Sequence, residues 1–152
     1  MLADDDGQAP RMRDPGVVPD SAEIARRLTA EALVAELFSR FDARDVDAAL
    51  ALYTEDATVF QARGRDAVRS VMERGMSPSR GRHLITNLRA WSLDAGRTAV
   101  EYTAAAFTLE GDGPFTARSV FDHRQVQRCE PDGVWRIAEH EILGYTPPAQ
   151  VP

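Results

Sequence analysis

Few side chains in this sequence could move protons near neutral pH, and two of them stand at the ends of regular patterns. His83 begins a strand-like run, where a neutral imidazole could shuttle a proton. Asp42 ends an amphipathic helical pattern one residue after Phe41, so its carboxylate could act as a general base or acid at the mouth of a pocket. All 18 basic residues are arginine, which excludes Schiff-base and lysine general-base chemistry. Proton transfer must therefore depend on His, Asp and Tyr.

A further cluster lies in the middle of one strand pattern, at Asp122, His123 and Arg124. Alternation directs Asp122 and Arg124 to one face of the strand and His123 to the other. Polarity favours the His123 face as the core, because the residues that share its parity are apolar or small: Phe115, Ala117, Ser119 and Phe121. A β-bulge, common in curled sheets, would reset this alternation. The residues alone leave open which face lines a pocket.

Two tyrosines and the last strand pattern complete the candidates. Tyr53 and Tyr102 could donate hydroxyl hydrogen bonds to a carbonyl or epoxide oxygen. One of Glu139, His140 and Glu141 could also point inward. The three histidines show no metal-ligand spacing, so the sequence predicts neither a metal site nor another cofactor.

Length and charge limit the class of protein. The chain has 152 residues and a net charge of −6, which suits one domain with a sizeable core and argues against a nucleic-acid partner. No apolar run approaches the ~18 residues of a membrane span, and the acidic start does not resemble a signal peptide. The single cysteine, Cys129, excludes an internal disulfide. We therefore expect a cytoplasmic protein whose partner is a small molecule.

The patterns predict helices first and strands afterwards. Residues 1–20 and 147–152 are expected to be disordered tails around a domain at 21–146. Helices are predicted after Asp20 (with a break near Thr29 left open), after Asp45, and over 64–75. Strands are predicted over 57–60, 82–93, 97–109, 115–128 and 134–145, with Gly and Asp at the reversals between the last four. This order predicts an α+β domain in which helices and a curled antiparallel sheet enclose an apolar cone.

Several segments together resemble one known family. They are FDARDVDAAL at 41–50, LYTEDATV at 52–59, GRDAV at 64–68, RHLITN at 82–87 and DGVWRI at 132–137. Over about residues 25–145, the chain resembles the SnoaL-like branch of the NTF2-like (ketosteroid-isomerase-like) superfamily. The resemblance implies an NTF2-like cone, with about three N-terminal helices packed on a strongly curved antiparallel sheet that encloses a pocket.

The resemblance also implies catalytic roles. In the scytalone-dehydratase-like and polyketide-cyclase-like branch, a catalytic His matches His83, and a Tyr-Asp pair matches Phe41 and Asp42. The residues that polarise the catalytic His fall at Asp122 and Arg124 in this alignment. We therefore expect an inward Asp122 that orients His83, as a carboxylate orients a catalytic imidazole elsewhere.

A substrate pocket and a reaction class follow from the same resemblance. The pocket is expected to be lined by aromatic and basic side chains: Phe38, Tyr53, Phe60, Tyr102 and Arg124. Ketosteroid isomerases carry an acidic base at the place of Gln61 and a tyrosine at the place of Leu37, so steroid isomerisation is not implied. The expected function is cofactor-free dehydration, isomerisation or cyclisation of a small hydrophobic oxygenated metabolite, such as a polyketide or aromatic intermediate, by a homodimer.

A non-catalytic alternative stays open. The segment at 82–87 also resembles the β subunits of ring-hydroxylating dioxygenases. The chain could then be a ligand-binding module or an assembly subunit that forms homotrimers.

Overall fold

The computed structural model describes residues 18–76 and 80–143, which form three helices and six strands. In chain order these are α1 (Ser21–Ala43), α2 (Val46–Ala51), β1 (Tyr53–Val59), β2 (Ala62–Arg63), α3 (Arg65–Gly75), β3 (Arg80–Ser92), β4 (Arg97–Leu109), β5 (Thr116–Cys129) and β6 (Trp135–Leu143). The predicted α+β class, with three helices on a curved and mostly antiparallel sheet, is confirmed. Most of the predicted N-terminal tail, the whole C-terminal tail and the end of the last predicted strand lie outside the described residues.

Capping interactions set the ends of α1. The carboxylate of Asp20 accepts a hydrogen bond from the backbone N–H of Glu23 at 2.8 Å, which satisfies a free donor of the first turn. The helix continues through Thr29, whose hydroxyl donates to a main-chain carbonyl one turn earlier, so no break occurs there. Arg44 adopts a left-handed conformation (φ 61°) and ends the helix. Asp42 is thereby placed in the last turn, where the chain leaves the helix.

The sheet brings the two halves of the chain together. Its strand order is β2-β1-β6-β5-β4-β3, and β1 runs parallel to β6 while the other pairs are antiparallel. Tyr53, at the start of β1, therefore lies beside Ile137 of the last strand. The sequence patterns do not predict the short strand β2, which follows a reversal at Phe60, a residue with a φ of 55°.

Irregular pairing interrupts the alternation of β3, β5 and β6. The pairing registers place one extra residue at Arg118 in β5 and another at Ala138 in β6. The irregularity in β3 lies near Asn87, which has a φ of 54°. Bulges bend the strands that carry them, so these sites curve the sheet around the helices.

The core lies between α1 and the inner face of the sheet. Ala30, Val34 and Leu37 of α1 are at most 1% exposed, whereas Ile24 and Leu28, which have similar spacing, face solvent. Ile24 and Leu28 therefore lie outside this core despite their helical spacing. Within residues 18–76 and 80–143, no helix combines the length and apolar character needed to cross a membrane.

Candidate active site

His83 and Asp42 form a hydrogen-bonded pair where the end of α1 meets the start of β3. Asp42 Oδ1 lies 2.8 Å from Nδ1 of His83, and its Oδ2 accepts the backbone N–H of the same residue at 3.2 Å. Because a carboxylate oxygen accepts hydrogen bonds, Nδ1 carries the proton of the neutral imidazole and Nε2 carries its lone pair. The pair therefore has the geometry of a carboxylate-oriented base, while its role in catalysis stays a prediction.

A cavity of about 690 Å³ opens beside this pair, within the size range of small-molecule sites. Its walls come from one face of α1 and the first half of β3: Ala35, Phe38, Ser39, Asp42, Ala43, Arg80, Arg82, His83 and Ile85. The rings of Phe38 and His83 have their centroids 4.9 Å apart. At the rim, a guanidinium nitrogen of Arg82 lies 3.9 Å from Asp42. The cavity thus combines apolar side chains with one imidazole, one carboxylate and two guanidinium groups.

A second polar cluster is buried behind this cavity, on the inner face of the sheet. His140 is its centre: its Nδ1 lies 2.8 Å from the hydroxyl of Tyr53, and its Nε2 faces two atoms. These are the Tyr102 hydroxyl at 3.1 Å and Nδ1 of His123 at 3.0 Å. The Gln125 amide donates to the Tyr102 hydroxyl at 2.8 Å. We refer to these five residues as the interior cluster.

Burial keeps the interior cluster uncharged. It lowers the pKa of His140 to about 3, with the neighbouring His123 as a second cause. Burial also lowers the pKa of His123 to about 4, assisted by the proximity of His83. The pKa values of Tyr53 and Tyr102 are raised above their usual range by the same loss of solvation. At neutral pH all four groups are therefore neutral and act through hydrogen bonds.

The ring of Phe38 separates the cavity from the interior cluster. Its centroid lies 5.7 Å from that of Tyr102 and 6.0 Å from that of His123, both in edge-on geometry. Phe38 therefore contacts His83 as well as His123. It is the shared wall of the two polar groups, and its contact with a substrate stays a prediction.

The predicted inward placement of Asp122 and Arg124 is wrong. Asp122 is exposed and accepts a hydrogen bond from the Thr103 hydroxyl at 2.6 Å. Arg124 pairs with Glu101 on the same outer face, with 3.3 Å between Nε and Oε1. Neither side chain lines the cavity, and Asp42 instead of Asp122 orients His83.

Asp122 and Arg124 face outward because inward and outward side chains alternate without interruption along this part of β5. His123, Gln125 and Gln127 are each at most 7% exposed, so the inner face of β5 keeps its parity over this stretch. The β5 bulge lies earlier, at Arg118, and resets the alternation before the site begins. The polarity of the strand is thus the correct signal, and the family alignment misplaces the inner face.

The other residues predicted for the site lie in the interior cluster, in the core or on the surface. The hydroxyls of Tyr53 and Tyr102 both meet His140, so their direct contact with a ligand stays a prediction. Phe60 packs against the core from the β1–β2 turn and does not line this cavity. Of the three candidates on β6, His140 points inward while Glu139 and Glu141 are exposed. Gln125 carries no signal in the sequence, since a glutamine in a strand belongs to no catalytic motif.

The described part of the chain holds no group of three or more His, Cys, Asp or Glu side chains arranged around a shared metal position.

The sequence matches one family model. The model for the SnoaL-like domain covers residues 22–141, which includes every element that bears on the site. No curated protein matches the chain significantly.

Solved structures share the fold at low sequence identity. Aln2 from a Streptomyces species superposes with a TM-score of 0.73 at 16% identity, covering 83% of this chain and 93% of that one. A provisionally assigned scytalone dehydratase from Novosphingobium aromaticivorans gives a TM-score of 0.67 at 19% identity, covering 78% and 83%. An NTF2-like protein with a cystatin-like fold from the same species gives 0.64 at 21% identity, covering 86% and 95%. These similarities establish the NTF2-like fold.

Proposed function

The chain belongs to the SnoaL-like family, and we propose that it is an acid/base enzyme acting, without a cofactor, on a small hydrophobic oxygenated metabolite such as a polyketide or aromatic intermediate. The observation that carries the proposal is the His83–Asp42 pair in the wall of a cavity of about 690 Å³. Similarity in fold to a provisionally assigned scytalone dehydratase supports dehydration as the reaction to test first. The predicted homodimer stays a prediction.

The geometry supports a simple proton-transfer sequence. The free Nε2 of His83 removes a proton from the carbon next to a substrate carbonyl, and Asp42 stabilises the imidazolium that forms. The imidazolium then returns this proton to a β-hydroxyl, which leaves as water while the carbon–carbon double bond forms. Returning it to another carbon gives isomerisation instead. Phe38 and Ile85 supply apolar surface against which an aromatic skeleton can pack.

A dehydration assay tests the proposal. The full chain is incubated with a panel of bicyclic and tricyclic aromatic β-hydroxy ketones, and loss of one water is followed by mass spectrometry. For any compound that is turned over, His83→Gln is expected to lower kcat about 10²–10⁴-fold, the range for removal of a general acid/base group. Unfolding midpoints of both proteins control for misfolding. Turnover within about threefold of wild type in His83→Gln would rule out this role.

A further inference from the structure

The interior cluster places an imidazole next to the site that the proposed reaction does not use. His123 borders the Phe38 ring that also contacts His83, and its Nδ1 is bonded to His140. Among the described residues, none forms a hydrogen bond with Nε2 of His123. Which ring nitrogen carries the proton therefore decides whether His123 presents a donor or an acceptor from its free edge.

The contacts of His140 indicate where its proton lies. Within the described residues, the Tyr53 hydroxyl has Nδ1 of His140 as its hydrogen-bond partner and no other. A buried phenol with one partner donates to it, and 2.8 Å is a typical length for an O–H donor. Nδ1 is therefore the acceptor, and the proton of neutral His140 is on Nε2.

The opposite side of the ring agrees with this placement. Nε2 of His140 faces Nδ1 of His123 at 3.0 Å and the Tyr102 oxygen at 3.1 Å, lengths typical of an N–H donor shared by two acceptors. The Tyr102 oxygen already accepts from Gln125, whereas Nδ1 of His123 has no other donor among the described residues. In the reverse tautomer the Tyr53 hydroxyl would lose its acceptor, and the single lone pair of His140 Nε2 would face two donors, the Tyr102 hydroxyl and Nδ1–H of His123. Because Nδ1 of His123 accepts the hydrogen bond from His140, it is unprotonated, and neutral His123 carries its proton on Nε2.

We propose that His123 is the hydrogen-bond donor of the site, held by His140 and Tyr53 in the tautomer opposite to that of His83. This inference rests on the proposed function and assigns its second polar group. Asp42 leaves Nε2 of His83 bare as a base, whereas His140 leaves Nε2–H of His123 free to bond a substrate carbonyl oxygen. His123 lies behind the Phe38 ring as seen from the cavity, so the proposal requires that ring to turn aside when a substrate binds.

The donor role needs no proton to pass through the cluster. A neutral imidazole can polarise a carbonyl by hydrogen bonding while it keeps its proton, provided that its pKa is low enough to keep it uncharged. Burial lowers the pKa of His123 to about 4, so the imidazole is neutral at pH 7. His140 and Tyr53 are positioning residues in this scheme, because they act on the substrate only through His123.

The tautomers can be read directly by NMR. The chain has three histidines, so a long-range ¹H–¹⁵N spectrum of the full protein at pH 7.5 resolves each ring, and single His→Asn variants assign them. We expect a protonated Nδ1 in His83 and a protonated Nε2 in both His123 and His140. A protonated Nδ1 in His123 would overturn the proposal.

A matched pair of tyrosine variants tests whether Tyr53 fixes the tautomers of His140 and His123. Tyr53→Phe removes the donor to Nδ1 of His140, so the proton of His140 should shift toward Nδ1. The proton of His123 should then no longer be confined to Nε2. Tyr102→Phe removes a hydroxyl from the same imidazole on its other side and should leave both tautomers as in wild type. An unchanged His123 spectrum in Tyr53→Phe, in a protein with native signal dispersion, would contradict the positioning role. If Tyr53→Phe does not fold, the wild-type tautomers still decide the proposal.

These NMR measurements need no substrate, so they test the tautomer assignment whether or not the proposed function is correct. Where a substrate has been found, Tyr53→Phe should lower kcat about tenfold or more, toward the effect of losing one oxyanion donor, with little change in KM. Wild-type turnover in Tyr53→Phe would remove His123 from the reaction while leaving the His83–Asp42 pair intact. If His83→Gln instead kept wild-type turnover, that result would overturn the proposed function but not the tautomer assignment.

Discussion

Two aspartates show how position decides what a carboxylate does in this molecule. Both oxygens of Asp42 are bonded to one residue, His83, through its ring and its backbone N–H. Asp122 instead lies on the outer face of the sheet, where it accepts from the hydroxyl of Thr103. Only the first arrangement fixes the tautomer of an imidazole beside a cavity. The difference in contacts gives the two residues different expected effects on turnover.

Asp122→Asn is expected to leave kcat/KM within about twofold of wild type, because an exposed polar group away from the cavity contributes little to the transition state. The amide still accepts from the Thr103 hydroxyl, so the fold is not perturbed. Steady-state kinetics on a turned-over aromatic ketone makes the comparison. A loss of more than about tenfold would place Asp122 in the catalytic machinery after all.

At the scale of elements, the ends of α1 determine where the site forms. Asp20 caps the start of the helix, and the left-handed Arg44 ends it directly after the turn that carries Asp42. The cavity residues of α1 recur at helical spacing on one face: Ala35, Phe38, Ser39, Asp42 and Ala43. A helix that frays or shifts would move this face relative to His83 on β3.

Removal of the α1 cap should therefore cost stability. Asp20→Ala is expected to lower the free energy of unfolding by about 1 kcal/mol, the usual effect of losing a side-chain N-cap. Ser21→Ala, at the exposed neighbouring position, is the matched control and should change it by less than about 0.5 kcal/mol. Urea denaturation of the three proteins measures both values. Equal values for the two variants would show that the cap does not stabilise the helix.

Elements with local signals can be predicted from the sequence, and those without cannot. Asp20 and Asp45 indicate the helices that they cap, and Gly and Asp mark the reversals between β3, β4, β5 and β6. The bulges at Arg118 and Ala138 arise from pairing between strands, and a single extra residue has no signature in composition. The inner face of β5 is misassigned for a different reason, because the family alignment is followed there instead of the polarity of the strand, which gives the correct face. The elements that carry His83 and Asp42 are located correctly.

At the scale of the whole molecule, the interior buries several polar side chains. His140, His123 and Gln125 are at most 7% exposed, and each has a hydrogen-bond partner in the interior cluster. Burial of the two imidazoles favours their neutral forms, whose pKa values fall to about 4 for His123 and about 3 for His140. In the unfolded chain both would titrate near the ordinary pKa of about 6.5.

This difference makes the fold sensitive to acid. Between the folded and unfolded pKa values the unfolded state binds more protons, so the free energy of unfolding decreases as the pH falls below about 6.5. From pH 7.5 to pH 5 the loss should be on the order of 2 kcal/mol for each histidine. Urea denaturation at the two pH values measures it.

A variant with one fewer buried histidine is the control for acid sensitivity. His123→Gln removes one of the two groups and should show roughly half of the wild-type loss between pH 7.5 and pH 5. The comparison is made within each protein, so any change in stability at pH 7.5 cancels. A wild-type stability that does not change over this range, or an equal loss in His123→Gln, would contradict the buried neutral imidazoles.

The acid/base role of the His83–Asp42 pair is tested most directly by kcat of His83→Gln, Asp42→Asn and the double variant on one turned-over aromatic ketone. We expect each single variant to lose about 10²–10⁴-fold. The double variant should lose little more than the more damaging single variant, because residues that act as a unit have non-additive effects. A kcat within about threefold of wild type in Asp42→Asn, or losses that multiply in the double variant, would show that the two residues do not function as a pair.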